Sequence, residues 1–137
     1  INDLARSDTV TAGPETPVVE LAATMDEESV GSVVITTDGA PVGIVTDRDL
    51  TVRVLGAETD PAALFAADVM TTELCTIESA AGFYEATSLM AEHGVRRLPV
   101  CEGETLVGII TADDLTELLA DEQQQLGDVV RAQRPEY

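Results

Sequence analysis

In 137 residues, 45% of them hydrophobic, there is enough apolar material for one domain or for two very small ones packed together, and with two Phe, two Tyr and no Trp the core has to be aliphatic and alanine-rich. Twenty-six acids against seven bases, all of them arginine, give a formal charge of −19. That balance excludes a nucleic-acid binder built on a basic footprint and disfavours anionic membranes; it reads as a solvated acidic shell of the halophilic type, suited to a salt-adapted cytoplasm.

The elements come in two matching sets. Val18 to Met25 places apolar residues at helical spacing, with Pro17 suited to a first turn and Thr16 to an N-cap. Ser32-Val33-Val34-Ile35-Thr36 and Val42-Gly43-Ile44-Val45 read as β-branched strands joined by Asp38-Gly39, a strong hairpin turn. A helix is expected from Thr46 to about Leu55, and Gly56 to Pro61 have linker composition. The series then starts again. Phe83 to Met90 is a helix, Leu98 to Cys101 and Leu106 to Ile110 are strands around Glu102-Gly103-Glu104, and a last helix runs from Thr111 to about Val130. Pro99 suggests an edge or strand-start position, Gly127 a break in the last helix, and Arg131 to Tyr137 a frayed tail.

A shift of 65 residues superposes the chain on itself without a gap. Thr46 falls on Thr111 and Asp49 on Asp114; Val30 falls on Val95, Met25 on Met90, Thr11 on Thr76, and Asp3 on Asp68. The chain is therefore one β-α-β-β-α unit written twice. The fold class expected is α+β, with repeats at 1–57 and 65–137, a linker at 58–64, and two small sheets packed about a pseudo-twofold axis. Neither unit alone is long enough to bury a good core.

No apolar run approaches the roughly 18 residues of a membrane span. No charged-then-apolar leader follows Ile1, so a cytoplasmic location is expected. Cys75, Cys101 and the single His93 are too few for a disulfide framework or a zinc site of the usual type. The two cysteines are expected to be small buried residues, and His93 a favourable cation at a helix end. The three Met read as core, and the acid run Asp26-Glu27-Glu28 as a solvated face.

In both copies a strand runs through Gly into a helix that begins Thr-x-x-Asp. Thr46 with Asp49, and Thr111 with Asp114, have the spacing of a capping box, in which an acid three residues on closes the helix start. A second reading rests on three features: the motif recurs at matched positions, a Gly precedes each copy, and a helix N-terminus offers free N–H groups to an anion. A carboxylate repels phosphate but accepts two hydrogen bonds from a ribose diol, so an adenosine-type ligand suits these residues better than a bare anion. No nucleophile–base pair, Gly-x-Ser-x-Gly elbow or phosphate loop is present, which points away from an enzyme.

The segments Gly43-Ile44-Val45-Thr46-Asp47-Arg48-Asp49-Leu50 and Gly108-Ile109-Ile110-Thr111-Ala112-Asp113-Asp114-Leu115 resemble the signature of CBS domains, named after cystathionine beta-synthase. His93 to Val100 resembles that family's second-strand pattern, and Ala67-Asp68-Val69-Met70-Thr71 its lead-in. The resemblance spans essentially the whole chain as a tandem pair. It implies a regulatory module, without a catalytic cofactor, whose two clefts bind AMP, ADP, ATP or sometimes S-adenosylmethionine, and which often forms a homodimer and regulates a partner protein. A structural or dimerisation module with empty clefts is the alternative.

Carried across residue by residue, the resemblance puts the ribose-binding acid on Asp49 and Asp114, its hydroxyl partner on Thr46 and Thr111, and phosphate contacts on Arg96 and Arg97. It puts adenine-facing positions on Thr9, Val10, Leu74 and Cys75, and on Val30, Gly31 and Val95. One cleft then joins Thr111, Asp114, Arg96 and Arg97 to Val10 and Val30, and the other joins Thr46 and Asp49 to Cys75 and Val95. Arg48 is the only cation of the second cleft; as surface residues, the three arginines would instead pair with neighbouring acids. Gly31 and Ser32 stand where the second repeat has Arg96 and Arg97, so the two clefts are expected to differ, with the Asp114 cleft taking a phosphorylated adenosine first.

Overall fold

The computed structural model describes Ala5 and residues 9–133; Asp3 and the end of the expected frayed tail lie outside the described residues. Each repeat forms one three-stranded sheet. In the first, β1 (Thr11–Ala12) runs parallel to the central β2 (Ser32–Thr37), which pairs antiparallel with β3 (Ala40–Thr46). In the second, β4 (Ile77–Glu78), β5 (Arg97–Glu102) and β6 (Thr105–Thr111) repeat that order. The repeat extends to irregularities. A register shift falls between Ile35 and Thr36 in β2 and at the matching step, Val100 to Cys101, in β5.

The helices are α1 (Val18–Glu28), the short α2 (Asp47–Leu50), α3 (Ala66–Val69), α4 (Phe83–His93) and α5 (Ala112–Gln133). Pro17 stands just outside α1 as its N-cap, and no side chain caps that end, so Thr16 does not play the expected part. α2 runs into a π-helical turn over Thr51–Leu55, where Gly56 N–H reaches back to Thr51 O at 2.7 Å. A Cβ on Gly56 would stand 2.8 Å from Val52 O, so this tight end needs glycine. α5 passes through Gly127 and continues to Gln133, against the expected break and fraying; one glycine costs a 22-residue helix only about 1 kcal/mol relative to alanine. No described helix is long and apolar enough to cross a membrane.

Alternation along β2 explains how the repeats meet. Val33 and Ile35 face α1 in the first core, with Leu21, Met25 and Val45. Val34, pointing the other way, is also buried, because that face of the sheet meets the second repeat. β3 and β6 adjoin there, and Leu106 N–H bonds Gly39 O at 2.9 Å. Asp38 and Gly39 both take positive φ, 52° and 81°, as a two-residue hairpin turn requires.

The two cores exchange their entry segments. Ala66 and Val69, with Leu64 and Met70, pack into the core of the first repeat, while Ala5 packs against that of the second. Ala5 and Met70 are themselves 65 positions apart. Ile44 and Thr71 exchange main-chain bonds of 3.1 and 2.9 Å, and a Cβ at Gly43 would stand 2.5 Å from Met70 Sδ, so the signature glycine is where this segment crosses the sheet.

Pro99 corrects one expectation: β5 is the central strand of its sheet, not an edge. The matching residue, Val34, donates its N–H to Val10 O at 3.1 Å; proline has no N–H to offer Cys75 in the same way. Strand pairing in the second repeat accordingly begins at Ile77, one residue later than the matching start at Thr11. The fold tolerates proline here because only a short parallel strand flanks it on that side.

Candidate functional site

The cleft between the repeats owes its shape to two chain reversals and a glycine. α1 ends at Ser29 in the left-handed region, φ 54°, with Val30 N–H bonded back to Met25 O at 3.0 Å. This turns Glu28, Ser29 and Val30 into the opening. Gly31 follows, and a Cβ there would come within 3.0 Å of Arg97 Nη2 and 3.3 Å of Asp47 Oδ2. Its missing side chain is thus the space that the Arg97 guanidinium crosses. The result is a cavity of about 290 Å³ with Thr9, Val10, Val30 and Val34 on the first-repeat side and Arg97, Ile109, Thr111 and Asp113 on the second-repeat side.

Both Thr-x-x-Asp motifs close as capping boxes. Thr46 N–H donates to Asp49 Oδ2 at 2.9 Å and Asp49 N–H to Thr46 Oγ1 at 3.1 Å. At Thr111 and Asp114 both distances are 3.1 Å. The architectural reading of the motif therefore holds in each copy. It leaves each threonine hydroxyl proton available for donation, since Oγ1 acts only as acceptor in the box.

The residues expected around the first cleft are largely together. Val10, Val30, Arg97 and Thr111 line it, and Asp114 sits at the adjoining helix start with Oδ2 bound to Thr111 N–H. Arg96 is placed differently. Its side chain is 70% exposed, bonds Asp113 Oδ1 at 3.0 Å, and borders a separate groove beside α4 and α5. Neighbouring residues entering a strand face opposite ways, so only one of the pair reaches the cleft.

Of the residues expected around the second cleft, Thr46 and Asp49 form the capping box at the start of α2. Cys75 and Val95 pack against the second core, and Val95 also borders the α4–α5 groove with Met90 and Leu115. Asp49 lies 3.8 Å from Arg53 Nε, and Arg53 Nη1 donates to Val69 O at 2.9 Å, which ties the signature acid to the incoming segment of the second repeat. Arg48 is exposed and lines neither cavity. The repeats differ at two positions here: Gly31 and Ser32, which line the described cleft, are matched by Arg96 and Arg97.

Glu28 is a lining residue that the sequence reading missed; Asp113, beside Asp114 and expected near Arg97 as an opposing charge, does line the cleft. Glu28 closes an acid run that reads as a solvated face; its place at a helix C-terminus leading into Gly31 was the available signal. Burial raises the thiol of Cys101 above its ordinary range, helped by the charge of Glu78, and burial and Glu92 do the same for Cys75. Both cysteines are free, and no group of His, Cys, Asp or Glu among the described residues is arranged to hold a metal.

Comparison with known proteins bears on the fold. The family model for the CBS domain matches twice, at residues 1–56 and 66–121. An uncharacterized protein of Methanopyrus kandleri is 36% identical over 120 residues, covering 86% of this chain; the chain spans only 61% of that relative's length. Among solved structures, a CBS-domain containing protein from Agrobacterium tumefaciens is 30% identical with a TM-score of 0.77, over 86% of this chain and 97% of the other. A CBS domain pair solved with 5′-methylthioadenosine and S-adenosyl-L-methionine shares the fold, with a TM-score of 0.81 at 20% identity, covering 89% and 96% of the two chains.

Proposed function

The chain belongs to the CBS-domain family as a tandem pair, and from that premise we propose that it is a ligand-sensing regulatory module that holds an adenosine-type nucleotide in the cleft between its repeats. The observation that supports this most is the composition of the cleft: Val10 and Val30 from one repeat face Arg97 and Thr111 from the other. Val10, Val30 and Ile109 offer an apolar slot for a purine, and the Thr111 hydroxyl and the Asp114 carboxylate are donor and acceptor for a ribose. The Arg97 guanidinium is the charge for a phosphate. AMP, ADP and ATP are the candidate ligands; S-adenosylmethionine, bound by the CBS pair described above, shares the adenosyl portion.

Such a ligand touches both repeats at once, so its binding energy depends on how they sit relative to each other. That is the physical requirement for a regulatory signal: a ligand shifts an equilibrium only by its differential affinity for the two arrangements. The role is regulation of a protein yet to be identified rather than catalysis. We further propose a homodimer. Tyr84 is 83% exposed, and Leu119, Leu126, Val129 and Val130 line the outer length of α5 in the open. Val54 and Leu115 do not belong to this surface; they are buried in the cores. Sedimentation in molar salt should show a dimer at micromolar concentration, and a clean monomer contradicts it.

Mass spectrometry of small molecules released from the purified chain, followed by melting with added AMP, ADP and ATP, tests the ligand reading. Ligand at a hundred times its dissociation constant adds about 2.7 kcal/mol of stability. No released adenosine compound and no shift with any of the three would contradict the function.

A further inference from the structure

The charges that meet the central cleft do not match a polyphosphate. Glu28 and Asp113 line it as carboxylates, and Asp47 Oδ2 stands near Arg97 Nη2 where the guanidinium passes Gly31. Against these acids Arg97 is the one cation among the described residues that line the cleft; Arg96, which faces the separate groove, is bonded to Asp113 at 3.0 Å. The lining itself carries two acids and one cation, which leaves it one charge negative in a protein of net charge −19. The acids are fixed there by the fold: Glu28 by the left-handed turn that ends α1, and Asp113 by its position as second residue of α5. The cavity, at about 290 Å³, lies at the small end of the roughly 300–1,000 Å³ typical of ligand sites.

We propose that Glu28 and Asp113 act as a charge filter that sets the ligand class: the cleft accepts adenosyl ligands bearing no phosphate or one, and rejects the triphosphate. The inference rests on the adenosine-binding reading above and adds to it a reason for discrimination. Arg97 can neutralise a single phosphate. The described lining offers a further phosphate no second cation, only the carboxylates of Glu28 and Asp113, and charges sharing so small a cavity are screened little when the screening length is about 8 Å at physiological ionic strength. The filter is selective because adenine and ribose are uncharged and pass these carboxylates without such a cost.

Calorimetry with adenosine, AMP and ATP, without divalent cations and at about 0.15 M salt, tests it. AMP is expected to bind at least about tenfold more tightly than ATP, a factor worth 1.4 kcal/mol. The gap should shrink at about 1 M salt, where screening acts within about 3 Å. The double variant Glu28→Gln, Asp113→Asn also releases Arg96, and should raise ATP affinity about tenfold while changing adenosine affinity less than twofold. Both positions are exposed, and equal melting temperatures would confirm that the variant folds. ATP binding as tightly as AMP to the parent, or an unchanged ratio in the double variant, overturns the filter and leaves adenosine binding intact. If none of the three ligands binds the parent, the adenosine-binding reading fails and the filter with it.

Discussion

Replacing Gly43 by alanine probes the exchange of entry segments, because the signature glycine lies directly beneath Met70. The added Cβ would stand 2.5 Å from Sδ, 2.8 Å from Cγ and 3.1 Å from Cβ of that side chain. The thioether end can swing aside, but the Met70 Cβ cannot do so alone: the next residue, Thr71, is held by its two main-chain bonds to Ile44. Relief therefore requires the incoming strand to lift, and overpacking of this kind costs about 1–3 kcal/mol. Met70→Ala removes the obstruction at a cost of its own, about 1–2 kcal/mol because the side chain is only half-buried. Urea unfolding of the four proteins of the cycle, in molar salt, gives the coupling. The two changes together should cost less than the sum of the single changes, by about 0.5–3 kcal/mol. Strict additivity would mean that Met70 does not occupy the space over Gly43, and the account of the interlocked cores would be wrong.

Three other outcomes are expected. Arg97→Ala should weaken AMP binding about tenfold by removing a charge-assisted bond, whereas Arg48→Ala, on the exposed α2, should leave the central cleft unchanged; calorimetry on both decides, and equal losses would mean that the phosphate contact is misplaced. Melting temperature should rise from low to molar salt, since screening relieves self-repulsion at a net charge of −19, and a flat or falling curve contradicts this. The Cys101 thiol holds its proton more tightly folded than unfolded, by burial and the charge of Glu78, so its contribution to stability is complete below the ordinary thiol range and declines as pH rises through it. Alkylation of native Cys101 should lag that of the denatured chain even at alkaline pH, and equal rates would contradict the burial.

The repeat made most of the fold legible. Apolar spacing marked α1 and α4, Asp38-Gly39 marked a hairpin, and the offset carried each feature from one unit to the other. What the offset hides is exchange between units, because Ala66 and Val69 look the same in sequence whether they pack on their own repeat or on the other. Pro99 misled because the short parallel strand beside it was not visible as a reason for tolerance. At the site, Val10, Val30, Arg97 and Thr111 were legible through the family pattern. Glu28 is hidden in an acid run, and the adjacency of Arg96 and Arg97 in sequence conceals the side-chain alternation that sends them to different cavities.

The central claim is that an adenosine compound sits between Val10 and Val30 on one side and Thr111 on the other. A crystal structure of the chain grown with saturating AMP tests it most directly. The account predicts the purine against Val10 and Val30, the ribose at Thr111 and Asp114, and the phosphate on Arg97. AMP seated elsewhere on the chain, or a central cleft left empty at saturation, would contradict it.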